Sequence, residues 1–178
     1  MKRSIYGLVF LGCCYISFRC NSNEDGRYVL TSDLGFKIEF PKEPTFYPSN
    51  PGNNLKYIVN KYRCKEGEDE FMISCFDYNK NIIENLNNKD SVELFFRAAI
   101  DGAITNSKGK LINEKDIVIR SHPGKEATIK MGDPSSVCKL RIYLIAKNKF
   151  HLLIASRPKD KSIIPLNYFF DSYDLIDE

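Results

Sequence analysis

With 178 residues, the chain has the length of one ordinary domain. Its 26 basic against 23 acidic side chains leave a net charge of +3, too mild for a nucleic-acid footprint. A hydrophobic content of 43% is enough for a real core, and neither an internal repeat nor a low-complexity tract points to a solenoid or a disordered arm.

The N-terminus is the most informative stretch. Met1-Lys2-Arg3 is basic, Ser4 to Phe18 is uncharged, and Arg19 precedes a polar, acidic run from Asn21 to Gly26. That order is the pattern of an export signal. The apolar run, about 15 residues, falls short of the roughly 20 that cross a bilayer as a helix. The expectation is a protein that leaves the cytoplasm, which argues against most cytosolic, nucleotide and nucleic-acid roles. How the signal ends stays open. Cys13 follows Phe10-Leu11-Gly12, a fair lipoprotein site, but leaves a short signal. Cys20 gives a better length and an acidic tether, with Arg19 as its flaw. A secretory cut after Ser22, an uncleaved anchor and a buried N-terminal strand are the alternatives. A lipid on either cysteine would contribute roughly 0.8 kcal/mol per buried CH₂ to membrane binding. Residues 1–20 therefore read as a signal or lipoprotein segment, 21–27 as a polar tether, and 28–178 as a single domain.

Along that domain, 27–32 is a short strand candidate, and 35–40 alternates with period two until Pro41. Pro41, Pro44, Pro48 and Pro51 predict an extended loop over 41–54, with Phe46 and Tyr47 as exposed aromatics that a partner protein would meet. Segments 55–63 and 70–78 flank the polar turn Lys65 to Asp69 and read as a hairpin. Asn79 to Asn88 is a loop anchored by Ile82, Ile83 and Leu86. Val92, Phe95, Phe96, Ala99, Ile100 and Ala103 recur at spacings of three and four, predicting a helix over 91–105 with Asp90 as cap. That stripe reads as sheet-covering surface rather than a ligand groove. Strands follow at 116–121, 126–131, 137–146 and 150–156, the last two joined by Lys147-Asn148-Lys149. Ser162 caps a second helix that tolerates Pro165 in its first turn and buries Leu166, Phe169, Phe170 and Tyr173. Lys147, Lys149, Arg157, Lys159 and Lys161 read as turns and solvated strand edges.

Chemistry-bearing residues are few. Cys64, Cys75 and Cys138 form no CxxC pair and predict free, buried thiols. In a simple hairpin turning near Gly67, Cys64 would face about residue 70 and not Cys75. Pro123-Gly124 suits a type II turn joining two strands. His122, Lys125 and Glu126 around it are either an acid–base cluster or the solvated flanks of a tight hairpin, and turn chemistry favours the hairpin. His151, between Phe150 and Leu152, reads as a satisfied or edge histidine. No Gly-x-Ser-x-Gly elbow, Gly-rich phosphate loop or HExxH metal site is present. Asp171, Asp174, Asp177 and Glu178 lack the alternating spacing of a calcium loop and read as a solvated tail. No metal or cofactor is expected.

Antiparallel hairpins with one helix inserted and one terminal predict an α+β fold, an antiparallel sheet flanked by helices. The order of Gly35-Phe36-Lys37-Ile38-Glu39-Phe40-Pro41, His122-Pro123-Gly124-Lys125-Glu126, Arg141 to Ile145 turning into His151 to Ile154, and Asn167 to Tyr173 resembles the PsbP/Mog-like family, in particular its bacterial exported branch. The resemblance covers about residues 28–176 and implies an α/β/α sandwich. Lys125 stands where arginine is usual, and lysine lacks the bidentate fork. Tyr173 stands where phenylalanine is usual. As a rule family members are non-catalytic. PsbP is an extrinsic subunit of a membrane complex and the Mog branch binds a small GTPase, though neither partner carries over. The resemblance implies a non-catalytic binding or assembly module docking to a cell-envelope protein. A carrier of a small apolar ligand under the helix at 91–105 is the alternative, and a hydrolase is a more distant one.

Overall fold

The computed structural model describes residues 20–22, 26–48, 57–83, 87–132 and 136–176, with backbone alone for 20–22. Residues 1–19 of the predicted signal segment, including Cys13, lie outside them, as do Pro51, Leu86, Asp177 and Glu178, whereas Cys20 lies within them. In chain order the strands are β1 (Cys20–Ser22), β2 (Tyr28–Ser32), β3 (Phe36–Phe40), β4 (Thr45–Tyr47), β5 (Tyr57–Glu66) and β6 (Asp69–Tyr78). Helix α1 (Lys89–Ser107) precedes β7 (Lys110–Ile119), β8 (His122–Lys130), β9 (Ser136–Ala146) and β10 (Lys149–Pro158). Helix α2 (Ile164–Asp171) and β11 (Asp174–Leu175) follow.

Among the described residues every strand pairing is antiparallel, as the alternating patterns foretold, but they form two sheets where one was expected. The larger runs β4-β5-β6-β10-β9-β8-β7, and the smaller β1-β2-β3-β11. The second sheet escapes local reading because β11 is two residues long and exists only by pairing with β3. The helices are a minor part of this mostly β fold, and a plain α/β/α layering is not what covers the large sheet. Successive residues of a strand face opposite sides, so the sheet feeds two cores. On one side, Phe96 and Ile100 of α1 pack on Ala127, Ile129, Leu140, Ile142 and Leu144. On the other, Leu166, Phe169 and Phe170 of α2 join Phe36, Ile38 and Phe40 of the small sheet against Phe71, Ile73 and Leu153. The α1 stripe is thus spent on packing.

Several local expectations shift. Asn88, not Asp90, caps α1, its side-chain oxygen accepting from the Asp90 and Ser91 amides at 3.1 and 3.2 Å. Ser162 accepts from the Ile164 amide at 3.3 Å, although Ile163 holds the cap position of α2. Within the predicted 41–54 loop, 45–47 pairs with β5 as a short edge strand. Phe46 is not an exposed contact residue, since its ring packs on Tyr62 with centroids 4.8 Å apart. Tyr47 is exposed. At the other edge, β7 carries Glu114, Lys115 and Asp116 and a bulge between Leu111 and Asn113. Charges and a bulge are how a long edge avoids pairing with a second chain.

Candidate functional site

The structure relocates the His122–Glu126 motif. The chain turns at Arg120–Ser121, with Ile119 paired to His122, so the five residues open β8 instead of forming the turn. A two-residue hairpin turn needs positive φ, and here Arg120 supplies it at +52°. Pro123 is accommodated because pairing with β9 begins only at Gly124, opposite Tyr143. Gly124 is required by space: a Cβ there would sit 2.6 Å from the Ile142 carbonyl oxygen and 2.7 Å from the Tyr143 ring.

Alternation along β8 sends Lys125 and Glu126 to opposite faces, so they form no acid–base pair. Lys125 Nζ lies 2.9 Å from Glu93 of α1 and 2.9 Å from Asp116 of β7. Lysine here does without a bidentate fork by serving two carboxylates, one on each neighbouring element. Glu126 receives Arg141 Nε at 2.6 Å and Lys139 Nζ at 3.2 Å. Burial alone would raise its carboxyl pKa, but the hydrogen bonds and charges of Arg141 and Lys139 hold it below the ordinary value. Arg141 also reaches the Phe170 carbonyl at 3.0 Å and Asp171 at 2.8 Å, and Lys139 reaches Asn167 at 3.0 Å, so the network fastens α2 to the sheet. Asp171 is therefore an anchor and not part of a solvated tail. Asp174 lies in β11.

The histidines do not converge on a catalytic group. His151 is on β10 between β6 and β9, buried rather than at an edge, and its Nδ1 is 2.7 Å from the Tyr173 hydroxyl. Burial, reinforced by Lys149 and His122, lowers its pKa to about 4. His122 lines a cleft of about 490 Å³ with Arg120, Lys149, Leu34 and Ile176. Cys64, Cys75 and Cys138 are free and buried, with Cys64 opposite Phe71 in the β5–β6 hairpin. Burial raises the thiol pKa of all three, that of Cys138 to about 11. Arg157, expected at a solvated edge, is instead buried and paired with Asp69 through Nε at 3.2 Å and Nη2 at 2.6 Å. Among the described residues no group of three or more His, Cys, Asp or Glu side chains is placed to hold a metal ion. No described helix is long and apolar enough to cross a membrane, which leaves β-barrels unaddressed.

Some large apolar side chains remain in the open. Ile163, Ile164 and Tyr168, at 50%, 59% and 56% exposure, gather at the start of α2. Beside them a cleft of about 250 Å³ is lined by Phe40, Pro41, Phe71, Pro165 and Phe169 together with the charged Arg27, Glu39 and Glu66, and Arg27 stacks 4.6 Å over the Tyr168 ring. A further cleft of about 400 Å³ lies between Tyr47, Lys42, Arg63 and Lys65. Sequence reading found the inner stripe of α2 but missed the outer patch. Its signal was Ile163-Ile164 ahead of Pro165, apolar residues outside the helical period.

No family model matches the chain, nor does any curated protein sequence. Among solved structures, the solution structure of cyanobacterial PsbP (CyanoP) from Synechocystis sp. PCC 6803 matches with a TM-score of 0.50, over 96% of this chain and 98% of that one. The fold is PsbP-like. At 12% identity the likeness is one of fold alone, and it bears on the PsbP part of the expected resemblance, not on the Mog-like or exported lipoprotein branch.

Proposed function

We propose that this chain is a non-catalytic binding or assembly module, exported to the cell envelope, that docks on a partner protein through the start of α2. The observation that carries this reading is the contrast between the two kinds of side chain. Lys125, Glu126, Arg141, His151 and Arg157 are consumed in structural pairs, while Ile163, Ile164 and Tyr168 stand exposed beside a cleft of mixed apolar and charged lining. Contiguous exposed apolar side chains on a soluble domain mark interaction sites. Tyr and its neighbours supply rigid contact area, and Arg27 over Tyr168 adds a cation at the rim. A PsbP-like fold is compatible with such a role. The apolar-carrier alternative gains no support, because the face of α1 that would roof a cavity is packed on the sheet.

The test is in-cell crosslinking of the full-length protein with a photoreactive residue at Ile164 or Tyr168 and, as a control, at Leu94 on the outer face of α1, followed by membrane fractionation. A stoichiometric adduct from 164 and 168 but not from 94 is expected. No adduct, or equal adducts from all three, removes the α2 patch as a docking surface.

A further inference from the structure

The tip of the β5–β6 hairpin carries the acidic side chains Glu66, Glu68, Asp69 and Glu70. Glu68 takes Lys161 and Asp69 takes the buried Arg157. Glu70 takes Arg63 at 2.6 Å and Lys65 at 3.9 Å. Glu66 alone has no cation among the described residues, although the register sets it directly opposite Asp69. Like charges facing each other on neighbouring strands are destabilising, so the fold gains nothing from this carboxylate. Alternation along β5 sends Glu66 to the side of Tyr62 and Cys64. There it lines the cleft of about 250 Å³ beside the α2 patch.

The apolar walls of that cleft are Phe40, Pro41, Phe71, Pro165 and Phe169, and its charged groups are Arg27, Glu39 and Glu66. Arg27 shows how this surface holds a cation. Its guanidinium lies 4.6 Å over the Tyr168 ring and 3.9 Å from Glu39, an aromatic face joined to a carboxylate. Glu39 is thereby neutralised, and Glu66 leaves the lining with two acids against one base. Lys42 and Lys65, the chain neighbours of Pro41 and Glu66, line the separate cleft of about 400 Å³. A volume of about 250 Å³ falls below the roughly 300–1,000 Å³ of small-molecule pockets, but it admits one long side chain. Lysine and arginine suit such a place, because they lay an aliphatic stem along apolar surface and keep the charge at a polar end.

We propose that the partner protein inserts a lysine or arginine side chain into this cleft, its stem against Pro41, Phe71 and Phe169 and its charge on Glu66. Ile163, Ile164 and Tyr168 then meet apolar neighbours of that residue. This rests on the docking reading and deepens it, since it names the chemistry of the partner's contact segment: one basic residue set among apolar ones.

Crosslinking from a photoreactive residue at Ile164 in the full-length protein is the test. Glu66→Gln should lower the adduct about ten-fold, an effect between that of a rim charge and that of a fully buried pair. Glu66→Arg should abolish it. Asp160→Asn, which removes an exposed acid outside the cleft, should leave it unchanged. Neither Glu66 variant should fall below the wild-type urea midpoint, since each relieves the repulsion with Asp69. Within the partner peptide recovered in the adduct, changing one basic residue to Glu should restore crosslinking to Glu66→Arg. Undiminished adducts in both Glu66 variants overturn the cation site and leave the docking patch standing. Equal loss in Asp160→Asn, or failure of every such reversal to restore the adduct, overturns it as well. Absence of any adduct from the otherwise unaltered protein removes the docking reading itself.

Discussion

Lowering the pH should destabilise this protein through one side chain before any carboxylate titrates. His151 is buried on the central strand β10, edge-on to the Phe36 ring at 5.4 Å and hydrogen-bonded to Tyr173. Burial first, then the charges of Lys149 and His122, lower its pKa from 6.5 to about 4. Between those values the unfolded chain binds a proton that the folded chain refuses, so stability falls as pH falls. The contribution is intact above the unfolded pKa and is fully lost only below about 4. A shift of this size corresponds to about 3 kcal/mol, of which roughly 2 kcal/mol should be gone by pH 5. Against a typical total of about 5–15 kcal/mol, that is easily measured. Urea unfolding at pH 7.5, 6.5, 5.5 and 5 is the assay, in the wild type and in His151→Phe. The variant keeps the ring packing but leaves the Tyr173 hydroxyl without its partner. It should lose about 1–3 kcal/mol at pH 7.5, a deficit that shrinks by roughly 2 kcal/mol by pH 5 because its slope between pH 6.5 and 5 is much flatter. Parallel slopes in the two proteins would refute the reasoning. Glu126, whose pKa is lowered, should contribute only below its ordinary carboxylate range of about 4.5, outside the pH window measured.

Further outcomes follow from the same contacts. Glu126→Gln should cost about 3 kcal/mol, because it leaves the largely buried Arg141 and Lys139 without their carboxylate. Lys125→Met should cost only about 1 kcal/mol, because Glu93 and Asp116 are 51% and 83% exposed and return to water. Urea unfolding of the pair checks the ranking, and equal costs contradict it. Gly124→Ala forces a Cβ onto the Ile142 carbonyl and should destabilise by about 3 kcal/mol or prevent folding; an unchanged midpoint rejects the close approach. Cys64, Cys75 and Cys138 should resist alkylation at pH 8 in the native protein and react in urea, since all are buried with raised pKa values. Peptide mapping reads each site, and rapid native labelling of any of the three contradicts the placement.

Patterns confined to neighbouring residues were legible in the sequence. Period-two alternation located the strands from β2 onward, apart from the short edge β4 and the two-residue β11, and spacings of three and four gave the packed face of α1 and the inner stripe of α2, because each pattern records which side of a local element must leave water. The burial of the three cysteines was legible for the same reason. What depended on distant parts of the chain was not. Pro123-Gly124 looks like a turn, yet the β7–β8 register places the turn at Arg120–Ser121 and uses Gly124 for close backbone approach. Phe46 looked like an exposed loop aromatic until Tyr62, sixteen positions on, covered it. Lys125, Glu126 and Arg157 read as solvated charges because their partners Glu93, Asp116, Arg141 and Asp69 come from other elements. The composition and patterning of the sequence determined a β-rich domain and the faces it buries. Only the tertiary structure decided which charges are spent on holding that domain together and which apolar side chains are left exposed, because both depend on neighbours that the chain brings together from far apart.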